Sequence, residues 1–270
     1  MSLTRVGRMN LQLDGQLALV TASTKGIGHA IARALAAEGA RVIVNGRTAA
    51  GVDEAVQRIL GVLPTARLEK FPGDLSQAAV ADRLAAAFPA VDILINNLGI
   101  FDPKPFREIA DAEWQRFFDV NVLSGVRLSR LYFDGMVQRN RGRIVFISSE
   151  SALHIPAEMI HYGMTKTAQL AVARGLAELT AGTAVTVNSV LPGPTRSEGV
   201  ADFVDKLSGG KPFAEFEQEF FEKVRPTSLL KRFETVDEIA SVVAFVCSPL
   251  AAGMNGSSIR VEGGLVKAIA

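Results

Sequence analysis

Cysteine is nearly absent from this chain of 270 residues. With Cys247 alone, neither a disulfide framework nor a cysteine-built metal site is possible. Its place in the apolar run SVVAFVCSP reads as helix packing rather than a reactive thiol. An excess of charge is missing too: 29 Lys+Arg against 28 Asp+Glu leave a formal +1. That balance excludes a broad electrostatic footprint for nucleic acid or an acidic membrane surface. No apolar run is long enough to span a bilayer, and the opening MSLTRVGRMN lacks the apolar core of a signal peptide. The expectation is a cytoplasmic protein with no nucleic-acid or membrane partner. Internal repeats, low-complexity tracts and Pro/Gly/Ser linkers are also lacking. Residues 1–10 therefore read as a short mobile tail and 11–270 as one domain, with 48% hydrophobic residues to build its core.

What is present is alternation. The runs LALVT, RVIVN, ARLEKF, VDILINN, GRIVFIS, AVTVNSVLP and SSIRVEGG read as strands, separated by segments of helix length. Parallel neighbours need crossovers, and helices must cover both faces of such a sheet, so this order predicts an α/β domain with a mostly parallel sheet. One stretch, 197–230, is longer than a simple connection and is broken by Gly209, Gly210 and Pro212. It reads as a lid over a site at the strand ends. Its Phe203, Phe213, Phe216, Phe220 and Phe221 are assigned mainly to packing within that lid.

LALVTASTKGIGHAIARALAAEG passes from a strand through a turn of small residues into an Ala-rich helix. Gly26 and Gly28 let backbone approach a phosphate, and the helix start offers free N–H groups and a positive dipole end. The spacing departs from strict G-x-G-x-x-G, and tight packing is an alternative reason for the glycines. The next strand ends in VIVNGRT, beside the place a bound ribose would occupy. Arg47 stands there where an acidic residue would take a ribose 2′-OH. A guanidinium suits a 2′-phosphate, with Lys25 as a possible second cation, so the expectation is NADP(H) over NAD(H).

In ISSESALHIPAEMIHYGMTK, Ser149 ends an apolar strand, while Tyr162 and Lys166 lie four apart on one face of a helix. A phenol titrates near ~10, and a neighbouring ammonium lowers that value, letting Tyr162 exchange a proton with a carbonyl or alcohol oxygen. Ser149 is placed to hydrogen-bond that oxygen. As a nucleophile it lacks the flanking glycines of an elbow.

TASTKGIG, NNLG, VNV, Ser149, YGMTK and LPGPTRSE occur in the order found in the short-chain dehydrogenase/reductase superfamily, and the chain resembles that family over roughly residues 11 to 265. The resemblance implies a Rossmann-like three-layer α/β/α sandwich with a seven-stranded parallel sheet. It also implies hydride transfer between a nicotinamide and a small carbonyl or secondary alcohol. Carried over by position, Tyr162 is the acid/base, Lys166 binds the nicotinamide ribose and tunes the tyrosine, and Ser149 positions the carbonyl. Asn121 anchors a water that links the lysine to solvent. The cofactor lies against Thr21, Ser23, Lys25, Gly26, Ile27 and Gly28 of the turn, Arg47, Asp74 and Leu75 at the adenine, Asn97 and Gly99, and Pro192, Gly193 and Thr195 at the nicotinamide amide and pyrophosphate. A homotetramer, or at least a homodimer, is implied as well.

Two residues depart from the family pattern: Ala22 replaces the commonest first glycine of the turn, and Leu98 the alanine of NNAG. A comparison with 3-oxoacyl-carrier-protein reductase puts Asn140 and Thr183 where that enzyme carries two carrier-binding arginines, with Arg139 and Arg141 flanking the first position. The alternative from another class is a non-catalytic NADP sensor or scaffold, which has no need to keep Ser149, Tyr162 and Lys166 together. Glu150, His154, Glu158 and His161 either bind a polar substrate or face solvent, and their spacing matches no metal-ligand pattern, so no metal is expected.

Overall fold

The computed structural model describes residues 10–198 and 211–269. Most of the expected tail and the centre of the 197–230 stretch, Phe203 included, lie outside the described residues.

Each expected strand segment forms a strand: β1 (Leu17–Val20), β2 (Arg41–Gly46), β3 (Arg67–Pro72), β4 (Ile93–Asn96), β5 (Gly142–Ile147), β6 (Val185–Pro192) and, after the pair described below, β9 (Ser258–Val261). They build one seven-stranded sheet in the order β3-β2-β1-β4-β5-β6-β9, with every pairing parallel. The central strands read as unbroken apolar runs because both faces are covered. On one face α1 (Gly26–Ala37), α2 (Ala49–Val62) and α8 (Val236–Cys247) enclose a core that includes Ile31, Leu35, Ile59 and Val243. On the other, α3 (Ala78–Ala87), α5 (Ser124–Gln138) and α6 (Ile160–Glu178) enclose Leu84, Leu128, Met136, Phe146 and Ala173. Cys247 is fully buried in the first core, where burial pushes its thiol up to about 12. Among the described residues no helix is long and apolar enough to cross a membrane.

The strand order reverses between β1 and β4, and the chain leaves all seven strands at the same edge. A crevice must open there.

Two local features depart from the sequence reading. The stretch AEWQRFFDVNVLSGVRLSRLYF, whose amphipathic pattern reads as one helix through Asn121, is interrupted: α4 (Asp111–Phe118) passes into a π turn at Asp119–Leu123 before α5 begins. Ser124 N–H bonds Asp119 O there, an i→i+5 contact. The second feature frames the long stretch. β7 (Thr195–Arg196) and β8 (Glu234–Thr235) pair in parallel as a small separate sheet. Between them lie α7 (Phe213–Glu219) and a π turn at Phe220–Val224. Phe216, Phe221 and Phe233 form a buried cluster, with Phe213 and Phe220 packed against it. The Arg196 guanidinium lies 4.2 Å from the Phe213 ring centroid.

Candidate active site

Two cavities occupy the crevice. The larger, about 990 Å³, holds Ser149, Tyr162 and Lys166 on its floor. The other, about 740 Å³, is lined by Arg47, Asp74 and Leu75, among others. Ala22, Gly99 and Ile100 line both, so the two adjoin.

The turn after β1 is held from beneath. Asn45 Oδ1 accepts from Ala22 N–H at 3.1 Å, and Asn45 Nδ2 donates to the carbonyls of Phe71 and Gly73. Thr21 and Ser23, expected against a cofactor, are instead buried at 1% and 0% exposure. Thr21 Oγ1 donates to Ile95 O and accepts from the N–H groups of Asn97 and Leu98. Ser23 Oγ bonds Val20 O and Asn45 N. Both side chains tie strands together and contribute no group to either cavity. Ala22 itself adopts φ +50, the left-handed region where glycine is at ease. Leu98 packs against the second core and lines the smaller cavity.

Gly28 has no room for a side chain: a Cβ there would stand 2.4 Å from Asn97 Nδ2 and 2.5 Å from Ala22 O. Its glycine is required by the strand-to-helix packing. No side chain caps the start of α1, and Gly26, Ile27 and Gly28 line the larger cavity, so the first-turn N–H groups remain open to an anion. These residues fit the pyrophosphate of a dinucleotide laid across the two cavities. Lys25 lines the larger cavity, whereas Arg47 lines the smaller one beside Thr24 and Asp74. The two cations thus line adjoining cavities. Asp74 Oδ1 accepts from Ser76 N–H and Oγ–H, which shapes the loop after β3.

At the far end, Pro192, Gly193 and Thr195 line the larger cavity. Glu234, which the sequence did not single out, fixes that loop by accepting from Gly193 N–H at 3.0 Å. Burial lifts its carboxyl to about 7.

Ser149 ends the loop leaving β5, and its Oγ accepts from Ser151 N–H at 3.1 Å. Tyr162 and Lys166 come from α6, with the Lys166 Nζ 5.5 Å from the Tyr162 ring centroid. Burial raises the Tyr162 phenol above its ordinary value, against the effect of its hydrogen bond with Ser149. This is opposite to the direction expected from the neighbouring ammonium, because desolvation of the phenol is the largest cause; burial likewise brings Lys166 down to about 7. Lys166 Nζ donates to Ile147 O at 2.9 Å. Asn121, 1% exposed in its π turn, accepts from Ile100 N–H at 2.8 Å and donates to Ile100 O and Thr165 Oγ1 at 3.0 Å each. Its backbone carbonyl accepts from Gln169 Nε2 at 2.6 Å.

The four polar residues near Tyr162 divide. His154 is exposed. His161 is fully buried, its ring centroid 4.0 Å from that of Phe117 and 5.9 Å from that of Trp114, and it does not line the cavity. Glu150 and Glu158 do line it, both bound by a residue absent from the sequence reading: Arg225, 6% exposed, whose Nε lies 3.3 Å from Glu150 Oε1 and whose Nη1 lies 3.2 Å from Glu158 Oε1. Glu150 is buried and Glu158 is exposed, and through Arg225 both fasten the segment after α7 to the loop beside Ser149. Phe216, Phe220 and Phe233 of the aromatic cluster also line the larger cavity, so that cluster both packs and walls the site. Among the described residues there is no group of three or more metal-ligating side chains. Arg139 and Arg141 are engaged with Val91 O and Asp92, where the chain enters β5, at the opposite edge of the sheet from the cavities.

The fold and crevice define a dinucleotide-binding oxidoreductase of the Rossmann type. A family model described as Enoyl-(Acyl carrier protein) reductase matches residues 21–266. The chain is 46% identical over 263 residues to the uncharacterized oxidoreductase YvaG of Bacillus subtilis (strain 168), covering 97% of this chain and 100% of that protein. It is 29% identical over 255 residues to the 3-oxoacyl-[acyl-carrier-protein] reductase FabG of Escherichia coli (strain K12), 94% of this chain and 99% of that one. Among solved structures, L-sorbose reductase from Gluconobacter frateurii, complexed with NADPH and L-sorbose, superposes with a TM-score of 0.88 at 27% identity, covering 97% of this chain and 100% of that chain. This chain belongs to the short-chain dehydrogenase/reductase superfamily and is an NAD(P)-dependent oxidoreductase.

Proposed function

We propose that the protein is an NADPH-dependent reductase of a small ketone or aldehyde, reversible as an alcohol dehydrogenase, with Tyr162 as the general acid/base. The observation that carries this reading is the convergence of Ser149, Tyr162 and Lys166 on the floor of one cavity that adjoins a second, Arg47-lined cavity. When bound, the nicotinamide supplies a hydride in reduction and takes one up in oxidation. The Ser149 hydroxyl orients the substrate oxygen, and Tyr162 delivers its phenolic proton to that oxygen as negative charge develops there. Lys166, fixed by Ile147 O, holds the ribose and stabilises the phenolate left behind. α7 and the π turn after it wall the larger cavity with Phe216 and Phe220, apolar surface that limits water beside the reacting oxygen.

NADP(H) preference rests on Arg47, exposed at the end of β2, with Asn45 and Gly46 before it and no carboxylate on that strand end to receive a ribose 2′-OH. The protein is further read as cytoplasmic and as a homotetramer or homodimer. Reduction of 3-oxoacyl thioesters is the second reading, favoured by the FabG relatives, although Asn140 and Thr183 stand at the compared arginine positions. The test is NADPH oxidation against ketoses, other ketones, aldehydes and 3-oxoacyl thioesters, repeated with NADH and with Arg47→Asp. Turnover with a carbonyl, and an NADPH/NADH preference that drops at least roughly ten-fold in Arg47→Asp, is expected. An unchanged preference would overturn the NADP assignment. Tight NADPH binding with no carbonyl reduced would favour the sensor.

A further inference from the structure

α6 buries more polar side chains than a core-facing helix needs. Beyond Lys166, its inward face carries Gln169, 1% exposed and three residues further along the helix. Burying a primary amide costs free energy unless its donors and acceptor find partners. Gln169 uses both ends: Nε2 donates to the Asn121 carbonyl at 2.6 Å, and Oε1 lies 3.4 Å from Lys166 Nζ. The two partners fix the amide's orientation, because a carbonyl demands a donor and an ammonium demands an acceptor. The Asn121 carbonyl lies within the π turn, where the helical ladder shifts to i→i+5.

We propose that Gln169 is a positioning residue of this site, its amide fastening the Lys166 ammonium to the Asn121 carbonyl and so setting where that ammonium stands beside Tyr162. The inference rests on reading Lys166 as a site residue. Its physical content is a direct side-chain anchor. Lys166 Nζ donates to two protein acceptors, Ile147 O and Gln169 Oε1, which engage two of its three N–H groups. On the Asn121 side the ammonium meets an amide, which donates onward and carries no exchangeable charge.

The titratable groups around Lys166 are few. Tyr162 lies on the same helix, and Glu150, which faces Tyr162 from the loop after β5, is bound to Arg225. Among the described residues no carboxylate forms an ion pair with Lys166, so its charge depends on neutral oxygens and is sensitive to what replaces Gln169. Burial accordingly lowers its pKa.

The test follows the Lys166 Cε resonance by NMR in ¹³C-lysine-labelled protein without added ligand, assigned with Lys166→Met, across pH in wild type, Gln169→Leu and Gln169→Glu. NADPH affinity by fluorescence is measured alongside. Gln169→Glu is expected to raise the Lys166 titration by at least about one pH unit, as a carboxylate replaces a neutral acceptor. Gln169→Leu should lower it and weaken NADPH roughly ten-fold, with Gln169→Glu recovering part of that affinity. A Lys166 titration within about 0.2 units of wild type in Gln169→Leu would overturn the proposal, since a packing role predicts no change on an apolar replacement of similar size. If the leucine variant does not fold, Gln169→Met decides by the same criterion. These readings need no turnover, so they stand or fall separately from the carbonyl-reductase assignment, which Tyr162→Phe tests.

Discussion

Removing the Arg225 guanidinium while keeping its stem, as in Arg225→Met, strands Glu150. Glu150 is 4% exposed and its Oε2 has no hydrogen-bond partner, so Oε1 on Arg225 is its main compensation. Breaking a buried pair by deleting one partner costs about 3–5 kcal/mol. Glu158, with a side chain 45% exposed, adds only a few tenths on the scale of about 0–1 kcal/mol for surface pairs. Protonation limits the loss, so about 3 kcal/mol at neutral pH is expected, or about 6–12 °C in Tm for a chain of this size. The pH dependence has a definite sign. Burial already holds the Glu150 carboxyl above its ordinary value, with Arg225 pulling it down. Without Arg225 it rises further, so the folded state keeps a proton that the unfolded chain releases near ~4.3. Stability then falls as pH climbs from that value to the folded pKa, and levels off beyond it. Thermal melts at pH 4.5 and 7.5 should show the variant losing more at 7.5, with Glu150→Gln added to Arg225→Met restoring most of the difference. An equal Tm deficit at both pH values, with no recovery from Glu150→Gln, would refute the ion-pair reasoning.

Ala22→Gly relieves a left-handed alanine, worth about 1–2 kcal/mol, against about 0.5–1 kcal/mol of added backbone entropy, so calorimetry should show Tm between unchanged and roughly 6 °C higher. A fall would mean that the Ala22 methyl makes contacts that outweigh its backbone strain. Gly28→Ala drives a Cβ into Ala22 O and Asn97, and titration with NADPH should show affinity down more than about ten-fold with a lower Tm; wild-type binding would show that the turn relaxes freely.

How far the sequence foretold this molecule depends on the range of the interaction. The strand runs and their order were readable because burial on both sheet faces writes unbroken Val, Ile and Leu into the chain. Ser149, Tyr162 and Lys166 were readable because strand end and helix face place them by local periodicity. The π turn at Asn121 was not, since one inserted residue leaves the apolar repeat of α4 and α5 nearly intact. Thr21 and Ser23 look like ligands in a phosphate turn, and only the neighbouring β4 and Asn45 show that their hydroxyls point inward. Arg225 and Glu150 lie 75 residues apart, Glu234 and Gly193 lie 41 apart, and nothing local to either pair announces the contact. The lowered Lys166 and raised Tyr162 came from burial, which the spacing of Tyr-x-x-x-Lys does not encode.

The most direct test of the central claim is Tyr162→Phe, assayed for NADPH-dependent carbonyl reduction beside NADPH binding by fluorescence. Loss of the phenolic proton should lower kcat by about 10²–10⁴-fold, the range for a positioned acid, while Kd for NADPH changes by less than about two-fold. Turnover retained at the wild-type rate, with the same substrate and cofactor, would contradict the assignment of Tyr162 as the acid/base.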